Sequence, residues 1–412
     1  MLTGAHVVAN ATFLQVQKGG SPDKMIAQVE AICHDADLAL LTVVDPRLMD
    51  GVVPEVIGSV PALQDRVSVV GYPVGGEEIS ITEGVVSRIE VQRYSHSQRR
   101  LLAVTVDAAI NSGNSGGPVF RDGKVIGVAF QTLSGAENIG ELVPANLIRW
   151  FLSGVESQRE TAIPGIGIRT QNLENPFLRS HLGMTDDESG VLVISVSYGG
   201  SAWGVIEEGD ALLSIGGLSI VNNGSVLYLD RIRTSYTVVL GDRYIGDTIP
   251  LTVLRKGERL ELSITLRSVV HLVPAKRYDY VPEYFIYGGL VFLSLSRDFL
   301  GTWSKWRYRA PPELVYYYVS GIRTEADNDV VLLAKVLADE VNVGYQHLHS
   351  EAVVAINGVR PRGLTDFIDQ LKAAKGTVEI RMSSNGVIVL DADEVARAND
   401  RILSRYRIPT ST

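Results

Sequence analysis

From Met1 to about residue 155 the chain alternates short apolar runs with turns such as Gly19-Gly20 and Gly75-Gly76. Short apolar runs between turn residues predict strands. Leu147, Ile148, Trp150, Phe151 and Leu152 recur instead at helical spacing. That predicts a helix over Pro144–Ser153, with Gly154 as its stop. A polar stretch from Glu156 to Glu160 reads as a linker ending near Pro164-Gly165. Beyond it, Gly190–Val196 predicts a strong strand. Gly209 then makes a tight turn that Asp210 caps, and the strand that follows turns Leu212 and Ile215 inward. Phe285–Leu295 is the most apolar window, but its 11 residues fall short of the roughly 20 that cross a bilayer, so it reads as a buried strand. Glu351–Ile356 predicts another strand. Leu364–Leu371 predicts an amphipathic helix with Thr365 as its cap. Ser296–Asn328 interrupts this last region, and Arg307–Pro312 within it matches no pattern. The breaks divide a mainly β chain into residues 1–155, 166–268 and 280–395.

Composition supports packed β cores. Of 412 residues, 45% are hydrophobic and 7% aromatic, and the 40 glycines and 16 prolines suit many short strands. A length of this order predicts about three domains. The net charge of −9 argues against non-specific nucleic-acid binding, which needs basic patches. The lone Cys33 excludes an internal disulfide, and no cysteine loop supports it as a nucleophile.

The densest chemical signal is Asp107–Phe120, Asp-Ala-Ala-Ile-Asn-Ser-Gly-Asn-Ser-Gly-Gly-Pro-Val-Phe. It lies between the apolar runs Leu101–Val106 and Val125–Phe130. A serine flanked by glycines can stand bare on a tight turn beside converging backbone N–H groups, which acyl transfer requires. Serine also needs a base, and the base an orienting carboxylate. Among seven histidines, His6 follows an extended start, and Asp37 opens an apolar strand. His6, Asp37 and Ser115 therefore form a candidate triad. His347, His349 and Glu351 form no convincing metal set, nor do His34, Asp35 and Asp37; both groups read as loops. An esterase fits poorly, because the Gly-x-Ser-x-Gly elbow and the order Ser-Asp-His are both missing.

These residues resemble the HtrA/Deg family of chymotrypsin-fold serine proteases that carry PDZ domains. Gly71-Tyr72-Pro73-Val74-Gly75, Thr82-Glu83-Gly84-Val85-Val86-Ser87, Asn111–Pro118, Val125–Val128, and Asn138-Ile139-Gly140 with Val143-Pro144 all carry the likeness. Val270–Pro274, Gly288–Phe292 and Val336–Tyr345 are similar to the plant and algal branch with two PDZ-like domains. The resemblance implies a chymotrypsin-like double β-barrel protease domain followed by two PDZ-like α/β domains. Because the chain begins just before His6, the first barrel is expected to be incomplete. Gly4 stands where the family usually has asparagine, and glycine there is expected to loosen the turn that positions His6.

Roles follow from the resemblance. Ser115 would attack, His6 would act as base and then acid, and Asp37 would orient the imidazole. Backbone N–H groups of Gly113 and Ser115 would form the oxyanion hole. Ile110 and the strand Val128, Ala129, Phe130 and Gln131 would line the substrate pocket; with no carboxylate at its base, small apolar P1 residues are expected. Glu207–Gly217 resembles a PDZ signature, with Asn175–Leu178 either near that domain's peptide groove or a structural turn. In the second PDZ-like domain, Tyr284, Phe285, Ile286, Tyr287, Gly288, Gly289 and Leu290 would grip an extended peptide. The implied activity is an ATP-independent endopeptidase acting on unfolded or damaged protein, without cofactor or metal. A trimer-based homo-oligomer and a plastid location are expected, with mitochondrion or nucleus as alternatives. The second reading is a non-catalytic scaffold or holdase on the same fold.

Overall fold

Four antiparallel strands make the N-terminal sheet of the computed structural model: β1 (Leu2–Thr3), β2 (Leu14–Gln17), β3 (Lys24–Cys33) and β4 (Leu38–Val43). Their order is β1-β4-β3-β2, so this sheet stays open. A one-turn helix, α1 (Ala5–Val8), follows β1. Six further strands close into a barrel: β5 (Arg66–Gly71), β6 (Ser80–Arg93), β7 (Arg100–Val106), β8 (Pro118–Arg121), β9 (Lys124–Thr132) and β10 (Gly140–Pro144). The structure describes residues 1–72, 78–110, 113–132 and 139–412. Several residues quoted for the family likeness, namely Pro73, Val74, Gly75, Asn111, Ser112 and Asn138, lie outside the described residues.

Helix α2 (Ala145–Glu156) starts as expected but runs past Gly154. Gly154 is a packing residue rather than a stop: a Cβ there would lie 2.9 Å from the Tyr244 ring. The next region carries β11 (Ile168–Asn172), α3 (Pro176–His181), β12 (Val191–Val196), β13 (Ala211–Ile215), β14 (Leu218–Ser219), the hairpin β15 (Ser225–Tyr228) and β16 (Ile232–Ser235), then β17 (Thr248–Arg255) and β18 (Glu258–Thr265). The Asn175 side chain accepts from Phe177 N and Leu178 N, which makes this segment the N-terminus of α3. Asp210 closes its turn by accepting from Glu207 N at 2.9 Å and is paired with Arg255 at 2.7 Å.

The chain divides into two compact units, Met1–Val196 with Gly200–Val269, and Val270–Thr412 with Ser197–Gly199. Within the first unit the barrel and the region after it share an apolar core that includes Val86, Val91, Val226 and Tyr236. Val91 N donates to Thr234 Oγ1 at 2.7 Å across that core.

The second unit is built on one six-stranded sheet, β19 (Tyr284–Tyr287), β20 (Leu290–Ser294), β21 (Val331–Val336), β22 (Glu351–Ile356), β23 (Thr377–Met382) and β24 (Val387–Asp391), in sequential order. The apolar window Phe285–Leu295 is thus two strands of a hairpin. Gly288 and Gly289 take φ +55° and +83° between them, a left-handed turn that glycine adopts without strain. The interrupting stretch after β20 folds into three short helices, α4 (Arg297–Leu300), α5 (Trp306–Arg309) and α6 (Pro312–Ser320), and the patternless Arg307–Pro312 runs from α5 into the start of α6. They are held by packing of Leu300, Trp303, Trp306 and Leu314. Helix α7 (Leu364–Ala373) is not capped by Thr365; Asp329 Oδ1 accepts from Leu364 N at 3.1 Å instead. Burial raises the Asp329 carboxyl above its ordinary range. Helix α8 (Ala392–Tyr406) is anchored by Arg401 and Arg405 on the buried Asp339. The Arg401 hydrogen bond holds that carboxyl below its usual range.

Candidate active site

Strand pairing brings the base to its carboxylate. Leu2 lies opposite Leu40 and Thr3 opposite Ala39, so the residue after Thr3 and the residue before Leu38 enter the same corner. There α1 presents His6, and the turn preceding β4 presents Asp37. Asp37 Oδ1 accepts from His6 N at 2.8 Å, and Oδ2 pairs with His6 Nδ1 at 2.7 Å. Both carboxylate oxygens are therefore spent on one histidine. The Asp37 side chain is 1% exposed, and the His6 ring 27%. This contact fixes the tautomer: Nδ1–H donates to Asp37 and leaves Nε2 as the acceptor. His6 Nε2 is buried and has no hydrogen-bond partner among the described residues.

The third element is the turn that carries Ser115. Gly113 and Gly116 take φ +104° and +82°, and Gly117 N donates back to Asn114 O at 3.0 Å. Positive φ on both sides of the serine explains the two glycines. Gly116 packs against the His6 corner: a Cβ there would strike Thr3 Oγ1 and lie 3.1 Å from Gly4 N. Gly116 N donates to Ala129 O at 2.7 Å, and Ala129 N to Gly117 O at 3.0 Å, which ties the turn to β9. The turn that carries Ser115 thus lies against the corner where His6 and Asp37 meet, with Gly116 beside Thr3 and Gly4, and among the described residues no hydrogen bond joins Ser115 to His6 Nε2.

Gly4 has a different role from the one expected. Its φ of −75° needs no glycine. Its missing Cβ makes room for the imidazole, since a Cβ at Gly4 would lie 2.8 Å from His6 Cε1 and 2.9 Å from His6 Nδ1. In this chain glycine at position 4 clears the ring's place rather than loosening it. Gly4→Ala is expected to displace the ring and lower kcat by about 100-fold, as a shift of order 1 Å does. Steady-state kinetics on a short peptide would check this.

The residues expected to line the substrate pocket sit around the barrel wall. Ile110, Val128, Ala129 and Phe130 are buried. The Gln131 side chain is engaged by the Glu141 carboxylate and by Ser95 N. Burial raises the Glu141 carboxyl. Burial also drives the Cys33 thiol upward, and Asp35 adds to the effect, so it stays protonated and unreactive. Sequence reasoning missed His96, in the β6–β7 turn. Its Nε2 lies 3.0 Å from His34 Nδ1, and its ring centroid 6.2 Å from that of His6. No spacing in the chain announces that neighbour. Among the described residues no group of three or more His, Cys, Asp or Glu side chains could hold a metal, and no helix is long and apolar enough to cross a membrane.

In the second unit, Tyr284–Tyr287 forms β19, and β20 pairs with β19 on one side and β21 on the other. Asn342 Nδ2 donates to Gly288 O at 2.7 Å. Outside β19, Ile286 N donates to Ser411 O at 2.9 Å and Tyr284 Oη to Thr410 O at 3.1 Å, so the C-terminal segment lies along that edge.

Comparison with known proteins agrees with this geometry. The trypsin-like peptidase domain family matches residues 1–128, and the PDZ domain family matches residues 273–412. Protease Do-like 2, chloroplastic, of Arabidopsis thaliana is 37% identical over 425 residues, covering 100% of this chain and 68% of its own length. This chain belongs to the Do-like, or Deg, family of serine proteases. Two further Do-like relatives from Arabidopsis thaliana extend the match. Putative protease Do-like 3, mitochondrial, is 35% identical and covered over 72% of its length. Protease Do-like 4, mitochondrial, is 34% identical and covered over 77%. Among solved structures, the HtrA-type protease AlgW with tripeptide aligns with TM-score 0.51 and 24% identity, over 65% of this chain and 84% of that one, and supports the fold. The Do-like fold, a trypsin-like domain with PDZ, matches the architecture expected from the sequence.

Proposed function

We propose that this Do-like protease is an ATP-independent endopeptidase that cuts unfolded or damaged protein through an acyl-enzyme at Ser115. The observation that carries the reading is the doubly bonded His6–Asp37 pair beside the glycine-flanked Ser115 turn. His6 Nε2 takes the Ser115 proton as the hydroxyl attacks the scissile carbonyl, and returns it to the leaving amine. Asp37 keeps the other ring nitrogen protonated and stabilises the imidazolium that forms. The N–H groups of Gly113 and Ser115 receive the oxyanion. Ile110 and Val128–Gln131 bound the P1 site and select small apolar residues. Substrate reaches such a corner only as an extended strand, which folded domains seldom offer and unfolded ones do.

The PDZ-like regions hold extended peptides by adding a strand, which at β19 takes the place of the C-terminal segment that lies along that edge. Solved HtrA-type proteases of the same fold are described with decapeptide and tripeptide, which supports peptide recognition as part of this reading. Names of the relatives divide between mitochondrion and chloroplast, which supports a location in one of those organelles; the plastid remains our reading from the sequence resemblance. A trimer-based homo-oligomer completes the reading by family resemblance. The test is a disulfide-bonded client protein offered in native form and in reduced, carboxymethylated form, without nucleotide. We expect only the unfolded form to be cleaved, after Val, Ala or Ile by mass spectrometry of the products. A requirement for nucleotide, or equal cleavage of both forms, would count against it.

A further inference from the structure

We propose that Arg99 and Asp35 are positioning residues for Asp37, and that they bind the Ile163-Pro164 segment after α2 into the scaffold of the active site. The proposal rests on Asp37 being the triad carboxylate. Asp37 takes φ +55°, a left-handed conformation that is uncommon for residues other than glycine, aspartate being among the more tolerant. Such a residue keeps its place only when its surroundings over-determine it. Within the His34–Asp37 turn, Asp37 N donates to His34 O at 3.3 Å and Ala36 N to the Cys33 sulfur at 3.4 Å.

Further restraint comes from two other parts of the fold. From the β6–β7 turn, Ser97 Oγ donates to Asp35 O at 2.9 Å, and Arg99 Nη1 donates to Asp35 Oδ2 at 3.1 Å. His96 meets His34 on the same turn at 3.0 Å. From the segment after α2, Ile163 N donates to Asp35 Oδ2 at 3.0 Å. Arg99 closes the ring, because Nη2 donates to Ile163 O at 3.0 Å and Pro164 O at 2.8 Å. One guanidinium thus holds three acceptors on two chain segments through a rigid planar fork, where an ammonium would offer its three donors from a single point. The Arg99 side chain is 17% exposed and that of Asp35 26%, so the pair is shielded more than a surface ion pair. Freeing the turn lets Asp37 relax toward ordinary φ and drag its carboxylate from His6. Asp35 touches neither His6 nor substrate in this role; it acts through the backbone of Asp37.

The test uses the full chain. Arg99→Gln is expected to lower kcat on a short peptide by about 10- to 100-fold with KM within about twofold, because geometry and not binding is lost. Arg99→Lys is expected to recover part of that loss, since an ammonium still holds Asp35. A second readout needs no turnover. The proton between His6 Nδ1 and Asp37 gives a downfield ¹H NMR resonance that Ser115→Ala retains and Arg99→Gln shifts or loses. If Arg99→Gln fails to fold, Asp35→Asn carries the same measurements. An unchanged resonance and kcat in a folded variant would overturn the proposal, as would a rise in KM that accounts for the loss. A chain without peptidase activity whose resonance still responds to Arg99→Gln would support the clamp and defeat the proposed function.

Discussion

Replacing Ser115 with alanine is expected to remove peptidase activity, with kcat on an unfolded protein falling by about 10⁶-fold, the scale seen when a triad nucleophile is lost. The fold has no reason to change. The turn is set by Gly113 and Gly116 and by backbone bonds to Asn114 and Ala129, and none of these uses the hydroxyl. The His6–Asp37 pair is likewise untouched, since its bonds run to Nδ1 and the backbone of His6. Residual hydrolysis from the oxyanion donors alone would remain, far above the uncatalysed rate but invisible in a caseinolysis gel. Cleavage in Ser115→Ala within tenfold of wild type would mean that another group carries the reaction.

Asp37→Asn is expected to cost about 10⁴ in kcat, for a reason specific to the two bonds that Asp37 makes. Asparagine tolerates the left-handed backbone at this position better than most residues, so the φ of +55° is kept. Its carbonyl oxygen continues to accept from His6 N. Its amide then faces His6 Nδ1 and donates to it, which forces the ring proton onto Nε2. The base is present in the wrong tautomer, with its shape preserved. Peptide kinetics beside a thermal unfolding curve separate this from damage: kcat falls while the unfolding midpoint moves little. A loss smaller than tenfold would remove Asp37 from the mechanism.

The sequence disclosed chemistry better than geometry. Ser115 was legible because its glycines and its strand context are local, and His6 and Asp37 because each adjoins an apolar strand at the right place in chain order. What joins them was not legible: β1 is two residues long, too short to show any periodicity, yet its register against β4 sets the corner. Gly4 misled for a related reason, since the space it clears belongs to the ring of His6, two residues on. Long-range partners defeated local rules elsewhere as well. Thr365 satisfied the rule for a helix cap, but Asp329 supplies the acceptor. Gly154 satisfied the rule for a stop, but the Tyr244 ring lies against it. The helices after β20 show no pattern because each is too short for one, and packing holds them. Arg99, Asp35 and Ile163 meet only in the fold.

One measurement bears most directly on the claim that a single serine, armed by His6 and Asp37, does the chemistry. The folded protein is treated with a fluorophosphonate, digested, and the adduct located by mass spectrometry. One adduct per chain is expected, on Ser115, formed far more slowly in His6→Ala. An adduct on a different residue, or a Ser115 that stays unmodified while the protein continues to cut its substrate, would contradict it.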